Sequence, residues 1–269
     1  MCSALVSPAD VATFQREGVV CLRGVLAKSW LDELAEGVER NMREPGPYGK
    51  NHAETGAAYF GDYCNWDRIR IYRDVTEKGP LGTVAGQLMG ATSVQLFHEH
   101  VLVKEPGNGT PTPWHQDQPY YNVDGNQTVS LWVPLDPVLA EVCPKFLAGS
   151  HAAGKLFVPK RFKTGAALEG ETAHYEPFEG VDEEKESGRL RYWALAPGDL
   201  VAFNYKTLHN APPNTSKNRR RAISFRFIGE HTTFAVRPHA CSPPFPDMGV
   251  KAQHGDPMPK DAFPVVWHA

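Results

Sequence analysis

The sequence predicts a mainly β protein, a jelly roll of two sheets with N-terminal helices packed on the outside of one sheet. Glycine (24) and proline (23) interrupt many short apolar runs, which is typical of strands rather than long helices. From residue 93 onward apolar residues recur with a period of two, whereas residues 1–92 contain helical patterns. Several strands after a helical lead-in favour one jelly-roll domain over residues 1–269.

The helices are expected in the lead-in, residues 1–92. SPADVATFQREG begins with Ser-Pro, which suits a helix N-terminus, and ends with a glycine, which suits a C-terminus. VVCLRGVL is predicted to be a strand. A second helix is predicted in SWLDELAEGVERNMRE, where Ser29 and Asp32 have the spacing of a capping box. PLGTVAGQLMG is predicted to form a third helix.

The jelly-roll core is expected at residues 93–230. Alternation in SVQLFHEHVLVKEPG predicts one face that carries Val94, Leu96, His98, His100 and Leu102. The further strand candidates are VSLWVPLDPV, GKLFVP, RYWALAPGDLVAFNY and RAISFRFIG. APGD has the composition of a turn between two strands.

Two segments do not fit the strand pattern. Residues 163–189 are acidic and poor in aliphatic side chains, so this long connection is either a functional lid or a disordered insert. Residues 238–269 carry many prolines and are expected to be an irregular tail on the surface.

Composition excludes several classes of function. Lysine and arginine (28) nearly balance aspartate and glutamate (31), so no general field attracts nucleic acid or an anionic membrane. The five cysteines are scattered, which predicts idle thiols rather than a disulfide framework or a cysteine zinc site. The start lacks the pattern of a secretory signal, and no apolar run reaches the roughly 20 residues that span a bilayer. We expect a cytoplasmic protein, monomer or homodimer, without nucleic-acid or membrane partners.

The segment PTPWHQDQPYY raises the possibility of a metal site. His115 and Asp117 are two residues apart, a spacing that in isolation is more typical of a turn with a capping aspartate. His209 follows the predicted strand VAFNY and supplies a third candidate ligand. Two histidines and one carboxylate suit octahedral iron(II) and leave one face open for O₂ and a chelating cosubstrate. A structural zinc site would instead use four Cys and His ligands.

Arg220 in KNRRRAISFRF follows His209 by 11 residues. An arginine that points inward from a strand is a poor core residue by itself. It is suited to a bidentate contact with a carboxylate inside the barrel. Arg219 and Arg221 would then face the other way.

These motifs resemble the phytanoyl-CoA dioxygenase family of iron(II)/2-oxoglutarate-dependent oxygenases. The segments that carry the resemblance, between residues 14 and 228, are FQREGVVCLRGVL, LFHEHVLVKEPG, TPWHQD, VSLWVPLDPV, FLAGSH, APGDLVAFNYKTLHNAPPN and RRRAIS. The resemblance implies a double-stranded β-helix, with Fe(II), 2-oxoglutarate and O₂ as cofactor and cosubstrates. It implies that His115, Asp117 and His209 are the iron ligands.

The same resemblance implies cosubstrate contacts. Arg220 matches the partner of the distal carboxylate of 2-oxoglutarate, and Gln116 and Trp132 match positions that line the cosubstrate pocket. His100 matches a strand position that faces the cosubstrate, where relatives usually carry another residue. AEVCPKFLAGSH departs from the family, which often has an Asn-Gly-Cys-Leu turn there, without affecting a ligand.

Asp117 bears on the reaction type. Related halogenases replace the carboxylate ligand by a small residue so that a halide can bind, whereas this chain keeps Asp117. The resemblance therefore implies hydroxylation or a related oxidation.

Five further residues are candidates for the substrate pocket. They are Tyr120, Asn65, Trp66, Arg70 and His98. For the arginine a solvated surface is the default interpretation, and the alternative is a contact with an anionic substrate group. For His98 a satisfied core histidine is the competing interpretation.

Together these observations predict hydroxylation of an unactivated C–H bond in a small organic acid or natural-product intermediate, with release of succinate and CO₂. Desaturation, cyclisation and acyl-CoA hydroxylation are alternatives within the same fold. A non-redox metal enzyme or a silent binding protein of cupin type are alternatives outside that chemistry.

Overall fold

The computed structural model describes residues 5–53, 55–162, 164–170 and 174–269. Its helices are α1 (Pro8–Glu17), α2 (Lys28–Arg43), α3 (Ile71–Glu77) and α4 (Leu81–Met89). Its first seven strands are β1 (Val19–Leu22), β2 (Lys50–Asn51), β3 (Tyr59–Tyr63), β4 (Ser93–Lys104), β5 (Thr112–His115), β6 (Val123–Asp124) and β7 (Thr128–Pro134). The other strands are β8 (Lys145–Leu147), β9 (Leu190–Arg191), β10 (Leu200–Phe203), β11 (His209–Ala211), β12 (Arg220–Gly229), β13 (Thr233–Phe234) and β14 (Val265–His268).

Two antiparallel sheets form the predicted jelly roll. The major sheet has the order β1-β10-β7-β12-β4-β3-β2, and β14 also pairs with β4. The minor sheet has the order β5-β11-β8-β9, and β6 and β13 form a separate pair. Because neighbours in the sheets come from distant parts of the chain, residues far apart in sequence meet on one face.

The helices cover one face of the major sheet. A continuous apolar layer there includes Leu34 of α2, Val84 of α4 and Phe225 of β12, all fully buried. A second apolar cluster, which includes Trp132, Phe146 and Phe203, lies between the two sheets. The interior of the roll is therefore lined by side chains on the opposite face of each major-sheet strand.

Helix α1 begins as its sequence predicts, but α2 does not. The Asp10 amide donates to the Ser7 hydroxyl, and the Asp10 carboxylate accepts from the Ser7 amide, which is a capping box. The predicted capping box of Ser29 and Asp32 is wrong, because α2 already begins at Lys28 and Ala27 provides no side-chain cap. Asp32 instead pairs with Lys28 one turn earlier, at 2.7 Å.

The alternation predicted for β4 fails at one point. The pairing of β12 with β4 shifts register between Arg226 and Phe227, which leaves Phe97 unpaired. On one side of this bulge Leu96 joins the core under the helices, whereas on the other side His98 faces the interior. Because Phe97 is an extra residue in β4, Val94 and Leu96 lie on the helix side of the sheet and His98 and His100 lie on the interior side, although strict alternation predicts one face for all four.

Other differences concern short elements. GKLFVP forms no regular strand and contributes one isolated bridge, from Phe157 to Glu176. The lead-in also contains β2, β3 and the short helix α3, and the proline-rich tail ends in β14 on the edge of β4. Pairing with the sheet overrides the weak local preference of these segments. Within the described ranges, no helix is both long and apolar enough to cross a membrane.

Glu99 is a buried carboxyl group on the helix side of the major sheet. It pairs in register with Phe225, and its Oε1 accepts a hydrogen bond of 2.6 Å from the Asn65 amide. Its Oε2 is buried and has no hydrogen-bond partner among the described residues. Burial raises the pKa of Glu99 to about 8, so the protonated form is favoured at neutral pH.

We expect the free energy of unfolding to depend on this proton. Between the unfolded pKa near 4.5 and the folded value of about 8, the folded state binds the extra proton, so stability falls as pH rises. The contribution of Glu99 is a slope of at most about 1.4 kcal/mol per pH unit. In Glu99→Gln, the free energy of unfolding measured with urea between pH 4.5 and about 8 should lack this part of the slope. Profiles that run parallel in the wild type and the variant would contradict the assignment.

Candidate metal centre

Three candidate ligands meet where the minor sheet faces the major sheet. β5 and β11 pair in register so that His115 lies directly opposite His209. Asp117 follows β5 by two residues, just before a short 3₁₀ turn, and its amide donates to the Tyr205 carbonyl oxygen at 2.9 Å. One ligand atom from each of the three side chains lies within 4.8 Å of the others. Strand pairing therefore assembles the cluster that the sequence predicts.

Backbone carbonyl groups fix both imidazole rings. Nδ1 of His115 lies 2.8 Å from the Pro113 oxygen, and Nδ1 of His209 lies 2.9 Å from the Thr207 oxygen. Because a carbonyl oxygen only accepts, each Nδ1 carries the proton and each Nε2 keeps a lone pair. This arrangement is typical of metal-binding histidines, whose second nitrogen is held by a neighbouring acceptor.

The two oxygens of Asp117 have different surroundings. Oδ1 lies 3.6 Å from Nε2 of His115 and 3.8 Å from Nε2 of His209. Oδ2 lies 3.5 Å from Nε of Arg226 and accepts a hydrogen bond of 3.3 Å from the Ser130 hydroxyl. The first oxygen therefore belongs to the ligand cluster and the second to the interior face of the major sheet.

The charges of these groups suit a metal. Burial alone would raise the pKa of Asp117, but the Arg226 guanidinium and the two imidazoles hold it below its usual range. Burial, together with His115, lowers the pKa of His209 to about 3. An anionic carboxylate and a neutral imidazole are the forms that bind a divalent metal. The donor set and its protonation states thus fit iron(II), and three protein ligands leave further positions open.

Arg220 lies on the interior face of β12, at the start of the strand. Its side chain is 7% exposed and donates to the Val142 carbonyl oxygen. Lys104 of β4 is its partner in register and is 2% exposed. Burial and the nearby guanidinium lower the pKa of Lys104 to about 7. The Arg220 guanidinium therefore fits a carboxylate in the interior, whereas the Lys104 amine already donates to the Thr110 and Pro212 carbonyl oxygens at 2.6 and 3.2 Å.

Residues further along β12 line the same interior face as Arg220. Ser224 of β12 pairs in register with Trp132 on one side and with His100 on the other. The Ser224 hydroxyl is buried without a hydrogen-bond partner in the described part of the chain. An orphaned hydroxyl between Arg226, which contacts Asp117, and Arg220 on the same strand fits a polar cosubstrate there. Trp132 and His100 flank Ser224 on this face, and their contact with the cosubstrate stays a prediction.

Gln116 and Tyr120 instead bind the backbone of neighbouring loops. The Gln116 amide donates to the oxygens of Lys155 and Lys206, and its oxygen accepts from the Phe157 amide. The Tyr120 hydroxyl donates to the Lys160 oxygen and accepts from the Lys160 amide, both at 2.8 Å. These bonds occupy both amide hydrogens of Gln116, and its contact with the cosubstrate stays a prediction. The Tyr120 ring still packs edge-on against His115, at 6.1 Å between centroids.

The other pocket candidates separate into two groups. His98 is 1% exposed in the interior, opposite Arg226 in register, and its Nδ1 has no hydrogen-bond partner among the described residues. Asn65 contacts Glu99 on the helix side, and Trp66 lines a separate cavity of about 350 Å³. Arg70 pairs with Asp74 on α3, and its side chain is 79% exposed. The structure brings His98 toward the ligands but does not bring the other three there.

The 163–189 segment is anchored beside the ligand strands. Glu183 accepts hydrogen bonds from the Trp114 indole at 3.2 Å and the Asn210 amide at 3.3 Å. Trp114 directly precedes the ligand His115 in the chain, and Asn210 directly follows the ligand His209. On the other side the Phe162 ring lies 4.6 Å from His115 and is 47% exposed. Residues 163 and 171–173 of the expected lid lie outside the described residues.

Sequence reasoning missed Lys104, Arg226 and Glu183. The period of two in β4 already put Lys104 on the face of His98 and His100, which was a usable signal. Arg226 was equally in phase with Arg220 along β12. For Glu183 no signal distinguished it from its acidic neighbours, because its partners come from other parts of the chain.

The fold and the site together define a jelly-roll protein with a two-histidine, one-carboxylate metal centre. The family model described as "Phytanoyl-CoA dioxygenase (PhyH)" matches residues 14–222. The chain belongs to this phytanoyl-CoA dioxygenase family, as the motifs predicted.

Individual relatives are distant. A phytanoyl-CoA dioxygenase of Arabidopsis thaliana is 24% identical over 159 residues, which are 59% of this chain and 52% of the relative. The matched region thus spans about half the length of that relative. An L-proline trans-4-hydroxylase of Streptomyces griseoviridis is 25% identical over 245 residues, 86% of this chain and 89% of the relative.

Solved structures share the fold. The epimerase SnoN from nogalamycin biosynthesis, determined with Fe3+, alpha ketoglutarate and nogalamycin RO, superposes with a TM-score of 0.74 at 21% identity. The match covers 96% of this chain and 98% of that structure. At this identity the similarity shows the jelly-roll fold, and the residues of this chain carry the argument about its site.

Replacement of Asp117 by asparagine should weaken metal binding. The variant keeps the shape of the side chain but loses the only anionic ligand of the cluster, so Mn(II) affinity should fall by at least about tenfold. Isothermal calorimetry with Mn(II) measures this, and circular dichroism checks the fold. Asp136→Asn is the matched control, since Asp136 pairs with Arg221 instead. Equal Mn(II) affinity in wild type and Asp117→Asn would exclude Asp117 as a ligand.

Proposed function

We propose that this protein is an iron(II)/2-oxoglutarate-dependent oxygenase that hydroxylates an unactivated C–H bond of a small organic acid or natural-product intermediate. The reaction consumes O₂ and 2-oxoglutarate and releases succinate and CO₂. Family membership supports the class of chemistry. The residues of the interior support the particular cosubstrate.

One observation carries the proposal. The ligand cluster of His115, Asp117 and His209 contacts strand β12 through Arg226, and the same strand carries the buried Arg220. A metal enzyme that hydrolyses or isomerises its substrate does not need a buried arginine that binds the carboxylate of a cosubstrate. A dicarboxylate cosubstrate that chelates the metal at one end requires a clamp at the other.

Each group of residues has a distinct task in this reaction. The two histidines and Asp117 would hold the iron, and the Pro113 and Thr207 carbonyl oxygens fix the orientation of the imidazole rings. Arg220 binds and orients the distal carboxylate, while Trp132 and the interior aromatic cluster exclude water from the site. The bound iron and 2-oxoglutarate supply the O₂-dependent oxidation of the substrate C–H bond.

The contacts around His115 and the name of one relative support the substrate class. Tyr120 and Phe162 pack against His115 at the mouth of the roll, and the 163–189 segment is fastened next to it through Glu183. These contacts favour a compact substrate over a bulky acyl-CoA. A relative that covers most of this chain is named for hydroxylating L-proline, a small amino acid.

Replacement of Arg220 by alanine should raise the KM for 2-oxoglutarate. A bidentate charge-assisted contact in a buried site contributes about 2 to 4 kcal/mol, which corresponds to tens to hundreds of fold. Steady-state succinate formation at varied 2-oxoglutarate measures the change. Arg221→Ala is the matched control, because Arg221 lies next in the same strand and pairs with Asp136 and Glu39 outside the roll. An unchanged KM in Arg220→Ala would remove Arg220 as the clamp.

A further inference from the structure

Arg226 is a second arginine on the interior face of β12, and the proposed binding of the distal carboxylate by Arg220 gives it no role. Its side chain is 7% exposed, and its one hydrogen bond among the described residues runs from Nη1 to the Ser224 carbonyl oxygen at 3.2 Å. Arg220 and Arg226 are six residues apart in the chain. Six residues of extended strand span about 20 Å, so the two guanidinium groups do not serve one carboxylate.

The position of Arg226 is fixed from two sides. Its guanidinium lies over the Tyr121 ring, 5.5 Å from the centroid. Its Nε faces Oδ2 of Asp117 at 3.5 Å. A buried guanidinium is costly unless an anion compensates it, and Asp117 is the carboxylate in contact with it. The pair is therefore a fixed part of the site.

The two carboxylate oxygens of Asp117 have different contacts. Arg226 and the Ser130 hydroxyl both contact Oδ2, whereas Oδ1 alone faces the two imidazole Nε2 atoms. A carboxylate without such partners can bind a metal through both oxygens. With both oxygens bound, Asp117 would fill two of the six positions of an octahedral metal, and one fewer would remain for exchangeable ligands.

We infer that Arg226, assisted by Ser130, is a positioning residue that restrains Oδ2 of Asp117 and so keeps a coordination position open for the chelating cosubstrate. The inference rests on the proposed function, since it concerns the same metal and cosubstrate. It predicts an unusual pair of effects. Loss of Arg226 removes a cation that repels the metal and frees Oδ2 to bind it, yet it blocks the position that a chelator needs.

The test uses Mn(II) as the metal and oxalate as the chelator, both followed by calorimetry. Oxalate chelates a metal but has no distal carboxylate for Arg220 to bind, so it isolates the metal end of the cosubstrate site. In Arg226→Met the Mn(II) dissociation constant should stay equal to that of wild type or decrease by roughly threefold. The oxalate dissociation constant of the Mn(II)-loaded protein should increase by about tenfold or more.

Milder variants keep the test decisive if Arg226→Met does not fold. Arg226→Lys retains the charge without the planar fork, and its oxalate constant should lie between wild type and Arg226→Met. Ser130→Ala removes the other contact to Oδ2 and should weaken oxalate by about twofold to fivefold. Arg221→Met is the matched control on the same strand, and both of its constants should equal those of wild type.

Two results would overturn the inference. Mn(II) and oxalate affinities that fall in parallel would show that Arg226 only supports the fold. An unchanged oxalate constant in Arg226→Met, or in both milder variants, would show that Oδ2 needs no restraint. Failure of the proposed function is distinguishable, because Mn(II)-loaded wild type would then bind oxalate but not 2-oxoglutarate.

Discussion

The metal centre depends on one buried charge, the carboxylate of Asp117. Burial opposes its ionisation, and the neighbouring guanidinium of Arg226 reverses that preference. The arginine comes from the middle of the major sheet, whereas the carboxylate follows a strand of the minor sheet. This ion pair therefore joins the two sheets at the point where the imidazoles converge. Because Arg226 contacts Oδ2, Oδ1 of Asp117 is left to face the two imidazole Nε2 atoms.

The register of a few strands determines the rest of the site. The pairing of β5 with β11 brings two histidines together that are 94 residues apart in sequence. The pairing of β12 with β4 sets Arg220 beside Lys104, and the bulge near Phe97 sets His98 on the interior face. A shift of one residue in either pairing would turn these side chains to the wrong face. The geometry of the site thus depends on the register of the strands as much as on the types of its residues.

Much of this arrangement could be predicted from the sequence, because it follows local patterns. The period of two identified β4, β7 and β12, and the ligands were recognised from their residue types, their spacing and the resemblance to a family. The contacts of Gln116 and Glu183 could not be predicted, because they join loops that meet only in the folded chain. The bulge in β4 could not be predicted either, because nothing in SVQLFHEHVLVK indicates which residue is left unpaired. Ser29 and Asp32 fitted a capping box by spacing alone, but the helix began one residue earlier.

The central claim is that the centre couples oxidation by O₂ to decarboxylation of 2-oxoglutarate. The most direct measurement is succinate formation from 2-oxoglutarate by protein loaded anaerobically with iron(II) and then exposed to O₂, with a panel of small acids as substrates. The account predicts succinate that requires both iron and O₂, rises with a true substrate and is absent from zinc-loaded protein. No succinate with any substrate of the panel, together with zinc that is retained after chelation, would contradict it.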